Sequence, residues 1–277
     1  MRRKNVFTIL VAVFGLKFCY LISPLIAALY FILFPERRKS IFLYAQVLKP
    51  EMGEFQKLRF ILKIFINHIR CFFDSAGIPC GVFSVSSIGT EKIDQAIDRK
   101  QGIIILCSHF GPWRSIFQCL KFPKDIYVLG QRATGYSWND KFVSNEEMRN
   151  KVTELGNIDG QFSLLDAYSA LEKGNIVGMM GDRMNENKRE TVKFLNVQAY
   201  LPVAPFRLAN KSGAVIIPVF TYKTTDRTIL LHFYDPILPG QSPEAMQLQY
   251  IRLLEENVLK FPENFYPPLG DWIDNRP

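Results

Sequence analysis

The chain of 277 residues is 48% hydrophobic and 22% charged, with 23 Phe and 11 Tyr, and sets 34 Lys and Arg against 26 Asp and Glu for a net charge of +8. Such a composition can bury enough apolar surface to offset chain entropy, which excludes a disordered or low-complexity protein and leaves one large domain or two small ones. A positive balance fits a nucleic acid, an anionic membrane or an acidic substrate, and only its distribution separates these.

That distribution is uneven. Residues 1–39 hold seven basic side chains (Arg2, Arg3, Lys4, Lys17, Arg37, Arg38, Lys39) and one acid, Glu36, so the rest of the chain carries 27 against 25 and is almost neutral. A groove for nucleic acid would spread Lys and Arg over the body of the domain, so no nucleic-acid partner is expected. The basic residues bracket an apolar segment, Val6 to Phe34, interrupted only by Lys17 and broken in its second half at Ser23-Pro24. About 20 apolar helical residues span a bilayer core, so this segment predicts a single-pass anchor, tilted or bent. A cleaved signal peptide shares the Arg-Arg-Lys start, but its apolar core is usually about 7 to 15 residues, and Pro35 to Lys39 resembles a stop-transfer flank. Three basic residues stand on each side, so the positive-inside rule assigns no direction. The chain divides on this reading into an anchor, residues 1–39, and a body, residues 40–277.

Ile41 to Phe73 places Phe55, Leu58, Ile61, Phe65 and Ile69 at helical spacing among Lys57, Arg59, Lys63 and Arg70, which predicts one or two amphipathic helices broken at Pro50. The basic face is either solvated or rests on anionic headgroups. From Gly102 strands and helices alternate. Strands are predicted at Ile103 to Cys107, Ile126 to Gly130, Asn175 to Met180, Ala214 to Phe220 and Thr228 to Tyr234. Helices are predicted at Trp113 to Leu120, around Glu146 to Leu155, and at Ser163 to Glu172, Ala204 to Lys211 and Ser242 to Leu259. The pattern predicts an α/β fold, a mostly parallel central sheet flanked by helices, with the apolar helix in front.

The five cysteines have no paired spacing and read as reduced core thiols, and the three histidines stand far from any cysteine pair, so no metal site is expected. Ligand sites of open α/β sheets lie beyond the carboxyl ends of the strands. Ser108-His109-Phe110-Gly111-Pro112-Trp113 follows the first buried strand there, so His109 is either a general base at the mouth of a site or a structural histidine. Gly181-Asp182-Arg183 follows a second buried strand and brings a carboxylate and a guanidinium to the same edge. Arg183 and Arg132 are candidates for a phosphate, Phe110 and Trp113 for an acyl groove or for core. Ser108 does not sit in the Gly-x-Ser-x-Gly elbow of a covalent hydrolase.

Taken in order, Ser108-His109-Phe110-Gly111-x-Trp113, Gly181-Asp182-Arg183, Val192 to Leu195, Leu201 to Ala209 and Ser212 to Phe220 resemble the bacterial late lipid A acyltransferase family of the lysophospholipid acyltransferase-like superfamily. The resemblance extends from the apolar segment to Phe261-Pro262-Glu263-Asn264. It implies a transferase held at the bacterial inner membrane and facing the cytoplasm. Its partners are membrane lipids and acyl carrier protein, and it moves a fatty acyl group from acyl carrier protein or coenzyme A to a hydroxyl of a lipid or glycolipid. The thioester is a co-substrate, and no cofactor is implied.

In the family pattern a histidine deprotonates the acceptor hydroxyl, and a Glu or Asp five positions later holds its ring. His109 matches the histidine, but position 114 is Arg. A carboxylate fixes the tautomer of an imidazole and stabilises the imidazolium formed during attack, and a guanidinium does neither. Three outcomes are open. Asp182 supplies the missing carboxylate, Arg114 clamps an anion of the donor or acceptor, or the two pair with each other and the chain is a catalytically impaired lipid-binding homologue.

Overall fold

The computed structural model describes residues 6–116, 124–129, 152–155, 161–182, 191–225, 227–267 and 272–273. The apolar segment forms helix α1 (Val6–Leu33), followed directly by α2 (Pro35–Leu48) and α3 (Glu54–Gly77). Pro35 opens α2 at a first helical position, where its missing N–H costs nothing, so the basic run Arg37-Arg38-Lys39 is the first turn of a helix. The break expected near Pro50 falls between α2 and α3. The break expected at Ser23-Pro24 does not occur: the helix runs through Pro24 and is kinked instead at Gly15, whose backbone is non-helical. By length and apolarity α1 is the one described helix able to cross a membrane.

Next come β1 (Ser84–Ile88), α4 (Glu91–Asp98), β2 (Ile103–Cys107), β3 (Ile126–Val128), β4 (Val152–Glu154), α5 (Gln161–Glu172) and β5 (Ile176–Met180). Then follow β6 (Thr191–Phe194), β7 (Val197–Tyr200), α6 (Ala204–Ser212), β8 (Val215–Thr225), β9 (Thr228–Phe233) and α7 (Pro243–Lys260). Among the described residues seven strands form one sheet in the order β1-β9-β8-β2-β5-β3-β4. Only the β8-β9 hairpin is antiparallel, so the sheet is mostly parallel as the alternating pattern predicts. β6 and β7 form a separate two-stranded hairpin.

The core lies on both faces of β2. Ile104 and Leu106 join α1, α3, α6 and α7 on one side, and Ile103, Ile105 and Cys107 join Ile93 and Ala96 of α4 on the other. All five residues of β2 are buried, the signature of a strand covered on both faces. At the start of α7 the Ser242 side chain accepts from the Ala245 N–H, the cap its sequence announces.

One expected helix differs from the structure where it is described. The one around Glu146 to Leu155 falls mostly outside the described residues, and Val152–Glu154 within it is a strand paired in parallel with β3, because an open sheet edge captures this short stretch with its β-branched Thr153. The helix expected from Trp113 to Leu120 opens as a 3₁₀ turn, Trp113–Ser115, and is α-helical at Ile116, and residues 117–123 lie outside the described region. β1, α4 and the β6-β7 hairpin had no strong signal. β1 is short and Ser-rich, and α4 has only eight residues.

Candidate active site

Parallel register builds the site. β2 pairs with β5 so that Cys107 stands opposite Met180 at the two strand ends, and the chain runs two residues past each, to His109 on one side and Asp182 on the other. The two arrive together: Asp182 Oδ2 accepts the His109 backbone N–H at 2.6 Å, and both carboxylate oxygens lie 3.2 Å from Nδ1 of the ring. Asp182 is fully buried, whereas the His109 side chain keeps 23% of its surface open. A buried carboxylate on Nδ1 selects the tautomer with its proton on that nitrogen and leaves the Nε2 lone pair as the free base.

Asp182 reaches this position because residue 181 has no side chain. The Gly181 N–H donates to the Cys107 carbonyl at 2.6 Å, and a Cβ there would sit 2.5 Å from the Tyr250 ring of α7. Burial and the nearby Asp182 charge raise the Tyr250 phenol well above its ordinary pKa, so it stays protonated. The buried Ser108 also neighbours that phenol.

The His109 turn is held from the other side as well. Gly111 adopts φ +57°, and a Cβ on it would lie 2.2 Å from the Thr221 carbonyl of β8, a contact only glycine permits. The Thr221 hydroxyl donates to the Phe110 carbonyl at 2.9 Å, the Gly111 N–H donates to the Asn264 carbonyl at 2.9 Å, and the Tyr266 N–H donates to the His109 carbonyl at 2.8 Å. The backbone carrying the histidine is thus fixed by β8 and by the segment after α7.

Arg114 does not pair with Asp182, which is engaged by His109. Its guanidinium carbon lies 4.0 Å from the centre of the Phe72 ring of α3 and 4.2 Å from that of Trp113, and burial lowers its pKa to about 10, leaving it charged at neutral pH. Trp113 in turn stands edge-on to His109 at 4.8 Å. Behind this row His68 stacks flat on Tyr266 at 3.5 Å and meets Phe72 edge-on at 5.0 Å. Burial, helped by Arg114 and Arg37, holds His68 well below the usual histidine pKa and hence neutral.

Of the residues singled out from the sequence, the structure brings together His109, Asp182, Trp113 and Arg114, with Ser108 just beneath. Phe110 is 1% exposed and packs against Phe220 and Tyr222, which makes it core. Arg132 and Arg183 lie outside the described residues. Sequence reading missed Tyr250, Thr221 and the backbone of Asn264 and Tyr266, because each acts through a contact between elements distant in the chain. Compared with known protein families, residues 7–273 match the family described as bacterial lipid A biosynthesis acyltransferase. No curated protein matches the chain at a significant level.

Proposed function

Because the chain belongs to the bacterial lipid A biosynthesis acyltransferase family, we propose that it transfers a fatty acyl group from an acyl-carrier-protein or coenzyme A thioester to a hydroxyl of a lipid or glycolipid, with His109 as general base. The observation that carries this reading is the contact of Asp182 with His109 Nδ1. It restores, from the next strand, the carboxylate that position 114 lacks.

In this mechanism the acceptor hydroxyl gives its proton to Nε2 of His109 as its oxygen attacks the thioester carbonyl. Asp182 keeps Nδ1 protonated and stabilises the transient imidazolium, and the thiolate of the donor leaves as the tetrahedral intermediate collapses. The proton held on the ring then passes to the departing sulfur. Arg114 takes no part in proton transfer and stays stacked on Phe72 and Trp113. Arg183, adjacent to Asp182 in the sequence, and Arg132 are the candidates for a phosphate of donor or acceptor. The body works at the cytoplasmic face of the bacterial inner membrane, where acyl thioesters are made.

The test is transfer of a labelled acyl group from acyl carrier protein to lipids in membranes containing the protein. His109→Ala should lower the rate by about 10²- to 10⁴-fold, the usual contribution of a positioned base. Equal transfer by parent and variant would remove His109 from this role.

A further inference from the structure

The sequence predicts a single crossing of the membrane by α1, but the packing of that helix points elsewhere. Gly15, with φ 77° and ψ 162°, divides α1 into limbs of residues 6–14 and 16–33. At 1.5 Å per residue the longer limb reaches about 27 Å, at the lower end of what spans a ~30 Å hydrocarbon core and with no length to spare for tilt.

One side of that limb is also occupied by protein. Cys19, Ser23 and Ala27, four residues apart and fully buried, bring it close against the body. The Tyr20 hydroxyl donates to the buried carboxylate of Asp74 on α3 and is met by the ammonium of Lys223 on β8, which lies 3.9 Å from the same carboxylate. Farther along, Tyr30 and Phe31 meet Phe65 at 5.9 and 5.5 Å. As α1 numbers rise from 20 to 31, α3 numbers fall from 74 to 65, so the limb lies antiparallel along α3. The short limb touches α3 too, with Phe7 at 5.1 Å from Phe72. Both limbs are therefore fixed to the same helix, and beside Tyr20 stand Arg70, whose guanidinium carbon lies 5.0 Å from the centre of that ring, Asp74 and Lys223. A crossing α1 would carry these charges into hydrocarbon, where charged side chains are rare and costly.

The opposite side of α1 is a continuous apolar surface. Phe18, Leu21, Leu25 and Ile32 follow helical spacing on it, with Leu21 77% and Leu25 74% exposed, and Val13 and Phe14 extend it across the kink. In the sequence the excess positive charge of the chain falls on the two flanks of this helix, and in the structure Lys17 within it and Lys39 after it are exposed. An apolar face bordered by positive charge matches an anionic lipid surface.

We propose that α1 is an in-plane membrane helix: it lies in the interface of one leaflet with Leu21 and Leu25 in the acyl chains, while Tyr20, Asp74 and Lys223 lock it to the body and both chain ends stay on one side. Only the choice of a lipid surface as partner draws on the acyltransferase reading, and the measurement below needs no turnover, so the two fail separately. The full chain carries an epitope tag at each end, and sealed inner-membrane vesicles of one orientation are treated with protease. In-plane placement predicts that both tags are digested together or protected together. One tag protected and the other digested would establish a crossing, and loss of the amino-terminal tag by processing would establish a signal peptide; either overturns the proposal. In a second arm the Leu21→Glu/Leu25→Glu variant, altered only at exposed positions, is sedimented with vesicles of phosphatidylglycerol and phosphatidylethanolamine. A fall in the bound fraction of tenfold or more is expected, and binding equal to the parent would contradict the proposed face.

Discussion

Arg114 stands five positions after His109, where the family pattern has an acid, and its surroundings explain why the exchange can persist. A guanidinium is attracted to the faces of Phe72 and Trp113, where a carboxylate would be repelled and left buried beside two rings. Arg114→Glu, which recreates the family residue, should therefore lower stability by roughly 2 kcal/mol or more. It should bring no gain in acyl transfer, because Asp182 already holds the imidazole. Thermal unfolding and the transfer assay read the two effects, and a faster enzyme of unchanged stability would show that position 114 still governs the base. Asp74 gives a second prediction at this scale. Burial raises its carboxyl to about 6 from 3.8, although Lys223, the Tyr20 hydroxyl and Arg70 pull the other way, with Cys71 also beside it. A raised carboxyl favours folding while it is protonated, so its contribution is complete below pH about 4 and is lost as pH rises through about 6. Unfolding of the parent measured between pH 7 and 4 should thus gain up to roughly 3 kcal/mol relative to Asp74→Asn. Parallel profiles would contradict the burial of a charged Asp74.

At the scale of elements, the register of β2 against β5 produces the site. Equal continuation past Cys107 and Met180 is enough to set His109 beside Asp182, so the pair was legible once two buried strands followed by polar turns were recognised as neighbours. Asp182 could be named from the sequence as a candidate carboxylate for that reason, although only the paired strands show its distance. What the sequence hid has physical causes. The stretch at Val152–Glu154 is too short to declare its state and becomes a strand through its partner β3. The supports of the histidine turn, Thr221, Asn264 and Tyr266, come from β8 and the segment after α7 and act partly through backbone groups, which carry no residue signature. Phe110, plausible as a groove residue by its place in the motif, faces Phe220 and Tyr222 because the turn directs it inward.

At the scale of the molecule, composition located the charge and the structure gives that location a geometry. The body is nearly neutral, and most of the net positive charge lies in the sequence within and beside one apolar helix, which is laid along α3. Each charged side chain carried to the middle of a bilayer costs about 2.5–3.5 kcal/mol on insertion scales, so a charged α3 packed lengthwise on α1 opposes a crossing, while each basic residue near an anionic surface gains about 1 kcal/mol. In the proposed in-plane placement, the carboxyl edge of the sheet keeps a fixed relation to the lipid surface. The account depends most on the carboxylate that Asp182 supplies to His109. Its most direct test is the acyl-transfer rate of Asp182→Asn, with folding checked by thermal unfolding: loss of the Nδ1 partner should cut turnover by about 10²- to 10⁴-fold with the chain still folded. A folded Asp182→Asn variant that transfers acyl groups at the parental rate would contradict it.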